Sequence, residues 1–308
     1  MPARSRSRAR NGSSRLKCRS ASRRWCRCAA ARCCAGSRSE RSAFVIEGLG
    51  AIDWGHPAFA PFAQVGVPIA QAVGQGADLR DALNVHTGAQ VIRTSGGHML
   101  RFIPQDALPP ATAYEAHIAT TGEVPTRDNL HDFFNALMWL HWPRAKAVLN
   151  ARQARAIAQD GIGAARGKVR DTATLFDENA LIFLRTDDGP ERCLTGFDWH
   201  GLFVRSRAGW GVSCAVLPFG HALLEKLVAP YKSVTAHAWP VCVAALPADR
   251  ASLDAALADT LLDTELTPRD FRPLPVMGIP GWCDANEDVA FYSDTTVFRP
   301  GRRATAQP

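Results

Sequence analysis

The residues best suited to chemistry fall in a few short segments. In LHDFFN, His131 and Asn135 are four residues apart and Asp132 and Asn135 three, so on a helix an imidazole, a carboxylate and an amide share one face. In HALLEKL, His221 and Glu225 repeat the four-residue spacing. Asp177 and Glu178 form an adjacent acidic pair in FDEN. A carboxylate beside a histidine fixes its tautomer and raises its basicity, so His131 or His221 suits a general base near neutral pH, with Asp132, Asn135 and Glu225 completing the catalytic set. Two histidines and a carboxylate also match a divalent-metal shell with a position open for water, in which His131, His221 and Glu225 would be the ligands. The same groups would serve equally well as a buried polar network that fixes helix packing.

These residues need elements to carry them. In Leu130 to Trp142 the apolar residues Leu130, Phe133, Phe134, Leu137, Met138 and Leu140 recur at helical intervals. Thr126, Asp128 or Asn129 can cap the start. Pro143 cannot continue the backbone ladder, so a second helix should start there and make a corner with the first. On that second helix Lys146, Asn150 and Gln153 form a polar row. Two polar rows at one corner imply a lined cleft, with Trp139 as a wall and Lys146, Asn150, Gln153, Asp177 and Glu178 as substrate contacts. The competing reading makes the Lys146 row the wet side of an amphipathic helix.

Around this corner the pattern is mixed. Short helices are expected at Pro61 to Val65, Asp78 to Val85, Trp199 to Arg207, after Pro218 and through Leu253, Leu257 and Leu261. Alternation predicts a hairpin across Ser95-Gly96-Gly97, a strand at Tyr114 to Ile118, and a second hairpin whose tip is Asp177-Glu178-Asn179. Ser233 to Ala244 reads as a strand in which Pro240 marks an edge or bulge. Trp54, Phe59 and Phe62, with Trp282, Phe291, Tyr292 and Phe298 at the other end, are expected to seal the core. Without a regular βαβ rhythm, the class is α+β, a single domain over about 45–300 with the two-helix corner packed on short antiparallel hairpins.

Two motif matches fail on spacing or context. Gly161 to Gly167 imitates a phosphate-binding loop but follows a helix and has one interval too long. Gly211-Val212-Ser213-Cys214-Ala215 lacks the last glycine and the preceding strand of a nucleophile elbow.

The net charge of +7 over 308 residues separates sharply by position. Residues 1–44 hold twelve Arg and Lys17 against Glu40, a net of +12, which leaves −5 for the rest. That segment has little to bury and is expected to be disordered, as is 301–308. A nucleic-acid arm, a metal cluster through Cys26, Cys28, Cys33 and Cys34, and an export signal at Arg23-Arg24 are its functional readings, and each lacks the spacing or apolar run it needs. The abrupt change at Phe44 instead points to a translation start near Val45. Outside the tail, Cys193, Cys214, Cys242 and Cys283 read as reduced thiols of a cytoplasmic protein, and no apolar run reaches the roughly 18 residues of a membrane span.

The blocks YEAHIATTGEVPTRDNLHDFFNALMWLHWPRAKAVLN, RGKVRDTATLFDENALIF, FGHALLEKLVAPY and LPVMGIPGWCDANEDVAFYSDTTVFRP resemble a proteobacterial family known as domain of unknown function 3025, over about Ile52 to Arg299. The resemblance implies a bacterial single-domain protein and supplies no catalytic residue. The residues themselves favour a hydrolase-type enzyme with a His/carboxylate site, with or without a divalent metal. The other reading is a non-catalytic protein that binds a small-molecule ligand at the Trp139 and Trp142 walls. Nucleic-acid binding rests on the tail alone.

Overall fold

Asn129 sets the start of the central helix: its side chain accepts the Asp132 backbone N–H at 2.8 Å, which satisfies a donor with no partner inside the helix. In the computed structural model, which describes residues 46–161, 168–264 and 266–301, this helix (α4) spans Leu130–His141. Pro143 opens the next, α5, at Pro143–Asp160, and Trp142 lies between them. Residues 1–45 and 302–308 lie outside the described residues, and with them the whole of the expected 1–44 tail with its cysteines, Val45, and all but Gly301 of the expected 301–308 tail, as does most of the glycine loop, 162–167.

A helix that is not adjacent in sequence clamps this junction. Asp254 of α9 (Arg250–Asp263) accepts the Arg144 and Ala145 backbone N–H groups, both at 3.0 Å, and so caps α5 from outside. From the same helix Arg250 donates to the His141 carbonyl at the end of α4, 2.6 Å away. Both orphaned helix ends are thus satisfied by residues four apart on one neighbour.

Before the junction come α1 (Ala63–Gly74), α2 (Leu79–Gln90), β1 (Arg101–Pro104), α3 (Tyr114–Thr121) and β2 (Glu123–Thr126). After it come α6 (Lys168–Asn179), β3 (Ala180–Arg185), α7 (Asp188–Thr195), β4 (Cys214–Pro218), α8 (His221–Val228), β5 (Thr235–Cys242), α9 and β6 (Arg272–Pro275). Small sheets among many helices make the class α+β, as expected. The larger sheet has the order β4-β3-β5-β6, with β3 parallel to β5 and the outer pairs antiparallel; β1 and β2 form a separate parallel pair. Ala180 to Leu184 of β3 are all buried, as a strand covered on both faces requires. Pro240 sits in interior strand β5, but beyond the Thr235 to Ala238 stretch that β6 covers, so the missing N–H falls at a local edge.

Several expectations are corrected. Tyr114 to Ile118 is helix α3, closed by Gly122 in the left-handed conformation at φ 78°. The second hairpin does not form, because α6 runs to Asn179 and β3 begins at the next residue. The first shrinks to a tight turn with one antiparallel bridge, Arg93 to Met99, and the α2 helix continues through Gly88 to Gln90. Helix α1 starts at Ala63 and runs past Pro68 to Gly74, while His200–Arg205 is a short π-helical turn. Trp282, Tyr292 and Phe298 are buried as predicted, with Phe291 half-buried against them. Among the described residues no helix is long and apolar enough to cross a membrane. The four cysteines there are free thiols, Cys214 buried and Cys242 exposed.

Candidate functional site

The polar row of α5 is not solvated: Lys146, Asn150 and Gln153 are 4%, 2% and 7% exposed. A buried ammonium needs partners, and Lys146 Nζ donates to Asp177 Oδ1 at 2.5 Å and Asn135 Oδ1 at 2.9 Å. It also lies 5.4 Å from the centre of the Trp139 ring. Asn135 passes the network on by donating to the Tyr114 hydroxyl at 3.0 Å. One turn along α5, Asn150 Nδ2 donates to the Glu115 carboxylate at 2.7 Å and to the Glu115 carbonyl at 2.9 Å. Helix α3, read from sequence as a strand, therefore contributes two side chains to the cleft, Tyr114 and Glu115, that helical spacing alone did not point to.

Helix α8 brings the other half. Gly220 precedes it and packs on the end of α6 so closely that a Cβ there would lie 2.5 Å from the Glu178 carbonyl oxygen. Its N–H donates to the Ala180 carbonyl at 2.8 Å. This contact delivers His221 to Asp177 and to His131. The Nε2 atoms of His131 and His221 are 3.0 Å apart, their rings edge-on, and His131 Nδ1 is 3.0 Å from Glu225 Oε2. Glu225 is an acceptor, so His131 carries its proton on Nδ1 and accepts at Nε2; His221 then carries its proton on Nε2. On that tautomer His221 Nδ1 is a buried lone pair without a good hydrogen-bond donor, 3.8 Å from Asp177 Oδ2 and near the Asp177 backbone.

The electrostatics follow from burial and neighbours. Removal from water pushes His221 down to about 4, against the pull of Asp177, so it stays neutral. Burial also works on Asp177, but Lys146 and His221 outweigh it and hold that carboxyl below its ordinary range. Glu115 goes the other way: burial first, then the Asp177 charge, raise it to about 7. Burial, with Glu115 and Asp132 nearby, raises the Tyr114 hydroxyl well above its usual value. Two carboxyls of one site are thus set apart, one ionised and one poised to carry a proton.

His131, His221, Asn135, Gln153, Asp177 and Glu178 line an open cleft of about 620 Å³, with Tyr114, Glu115 and Asp132 in the same wall. Asp132 has little freedom there, because its oxygens accept from the Arg127 backbone N–H at 2.6 Å and from the guanidinium at 2.9 and 3.0 Å. Glu225 lies 41% exposed outside the histidine pair. Lys146 and Asn150 support the wall from behind, and Trp139 and Trp142 are fully buried in the core instead of forming an aromatic rim. The expected ligand set of His131, His221 and Glu225 does not converge: Glu225 and His221 occupy opposite nitrogens of the His131 ring, whose lone pairs point apart. Among the described residues no group of three or more His, Cys, Asp and Glu is placed to hold a metal ion. Ser213 lies in the turn before β4, with the strand after it and not before, so no nucleophile elbow forms.

No curated protein and no solved structure matches the chain. The family described as Protein of unknown function (DUF3025) matches residues 100–302, a span that holds all the cleft residues named above, and the chain belongs to that family.

Proposed function

We propose that the cleft is the active site of a hydrolase-type enzyme that works by general acid–base catalysis, with His221 as base and Glu115 as acid. The observation that carries this reading is the bare His221 Nδ1, buried in the cleft wall and facing Asp177 Oδ2 across 3.8 Å. A water between these two atoms would give a proton to Nδ1 and attack a carbonyl carbon, while Asp177 orients it. His221 sheds its Nε2 proton to His131, and His131 sheds its Nδ1 proton to Glu225 at the exposed rim, so each transfer restores a neutral ring. Glu115, protonated in part near neutral pH, protonates the departing oxygen or nitrogen. Lys146 keeps Asp177 ionised throughout. The bond changes balance: water is split between the acyl group and the leaving group, and no redox partner is required.

The alternative, a non-catalytic ligand-binding protein, called for an exposed tryptophan pair; Trp139 and Trp142 are both buried, and the histidines converge on the cleft. The test is a screen of small esters and amides in the presence of EDTA, with His221→Gln and Glu115→Gln beside the parent chain. Loss of about 10² to 10⁴ in kcat in each variant, with folding retained, is expected. Turnover that survives both substitutions, or that requires an added divalent metal, sinks the reading.

A further inference from the structure

The cations at the cleft are not equivalent. Arg127 is committed to Asp132, and Lys146 to Asp177 and Asn135. Arg170 also lines the cleft, yet its Nη1 is buried and has no hydrogen-bond partner. A guanidinium nitrogen withdrawn from water without an acceptor is costly, and a planar anion supplies what it lacks. Arg170, Thr174, Asp177 and Glu178 all line the cleft from α6, at the spacings that share one helical face. This face runs from the unpaired guanidinium to the histidine end; at 1.5 Å per residue Arg170 and Asp177 are about 10 Å apart along the helix. Leu108 and Ile157 add apolar wall to the same cleft.

The sign and size of the anion follow from the remaining charges. Glu115 and Glu178 face the same space, and Arg127 and Lys146 are already neutralised by Asp132 and Asp177. A dianion would meet more repulsion than one guanidinium offsets, whereas a monoanion would not. We propose that the cleft binds an extended aliphatic monocarboxylate, its carboxylate held by Arg170 and its other end, an ester or amide carbonyl, placed on the cleft side of the water that His221 and Asp177 hold. The identity of the reacting end rests on the acid–base reading above; the anchoring by Arg170 does not.

Monomethyl suberate carries a carboxylate and an ester at about the required separation, and dimethyl suberate is its neutral counterpart. Calorimetric titration of both, and of inorganic phosphate, into the full chain and into Arg170→Gln gives the test. The parent chain should bind the monoester at least ten times more tightly than the diester, and Arg170→Gln should lose about that factor for the monoester alone. Its Tm should be unchanged or higher, because a buried unpaired donor has been reduced. Absence of monoester binding at millimolar concentration, equal binding of the diester, tighter binding of phosphate, or a marked fall in Tm each overturns the proposal. Specific binding without turnover would keep the Arg170 anchor and sink the acid–base reading; turnover insensitive to Arg170 would do the reverse.

Discussion

His131 Nε2 and His221 Nε2 lie 3.0 Å apart, and the carboxylate on the far side of His131 decides which of the two holds the shared proton. On the acid–base reading, that relationship supplies a base whose lone pair is buried in the cleft wall and a path by which its proton leaves. The low value of His221, about 4, and the high value of Glu115, about 7, then bound the active form. The proposed mechanism needs His221 neutral and Glu115 protonated, so kcat/KM should be bell-shaped with limbs near these two values. A rate that rises steadily to pH 9 would contradict the assignment of Glu115.

The same two groups should oppose each other in stability. His221 binds its proton less readily folded than unfolded, so it makes stability rise with pH between about 4 and the unfolded value near 6.5. Glu115 binds its proton more readily folded, so it makes stability fall as pH rises from the unfolded value near 4.3 to about 7. Burial also pushes His141 down to about 3 and lowers His237, and both add to the rise from His221, so the parent chain should gain stability from pH 4.5 to 6.5 with Glu115 offsetting part of the gain. Glu115→Gln should remove the opposing slope and make the profile steeper than the parent's by up to about 1.4 kcal/mol per pH unit, read by urea unfolding of both chains across that range.

Lys146 and Asp177 form an ion pair in which both side chains are buried, so removing one partner strands the other. Lys146→Met or Asp177→Asn alone should cost about 3 to 5 kcal/mol, and the double variant much less than the sum. A double-mutant cycle by denaturant unfolding checks this; strict additivity would mean that the pair is not coupled.

Gly220 has no room for a side chain against the Glu178 carbonyl and the Asn179 backbone nitrogen. Gly220→Ala must therefore move α8 away from α6. The expected result is a lower Tm and loss of the contact between the histidine rings, visible as altered imidazole resonances. An Ala variant with unchanged stability and unchanged resonances would show that the two helices are not in this register.

Asp254 caps α5 from another helix. Asp254→Ala should cost about 1 to 2 kcal/mol in denaturant unfolding, while the exposed Asp259→Ala on the same helix should cost little. Equal effects of the two substitutions would remove the cap from the account.

Much of the site was legible because helical spacing is local. The pairs His131 with Asn135 and His221 with Glu225 follow from a four-residue repeat, and the buried row Lys146, Asn150 and Gln153 from the helix that Pro143 starts. What failed was local structure that tertiary contacts decide. Tyr114 to Ile118 alternates like a strand and Ala113 offers no side-chain cap, but packing on α5 makes it helical and brings in Glu115. The one sequence signal for that helix was a glutamate in the first turn with a glycine closing the last. Asp177-Glu178-Asn179 has the composition of a turn, yet α6 passes directly into β3, so the acidic pair ends a helix and faces the cleft. Arg127 as the partner of Asp132, and α9 as the clamp on the junction, carry no periodic signal at all.

The most direct measurement of the central claim is the tautomeric state of His131 and His221, read from imidazole ¹⁵N shifts of the full chain between pH 4 and 8. The account predicts that His131 bears its proton on Nδ1 and His221 on Nε2 at pH 7, and that His221 Nδ1 stays bare until the pH approaches about 4. A His221 that is protonated on Nδ1 at pH 7, bonded to Asp177, would leave no base in the cleft and would contradict the account.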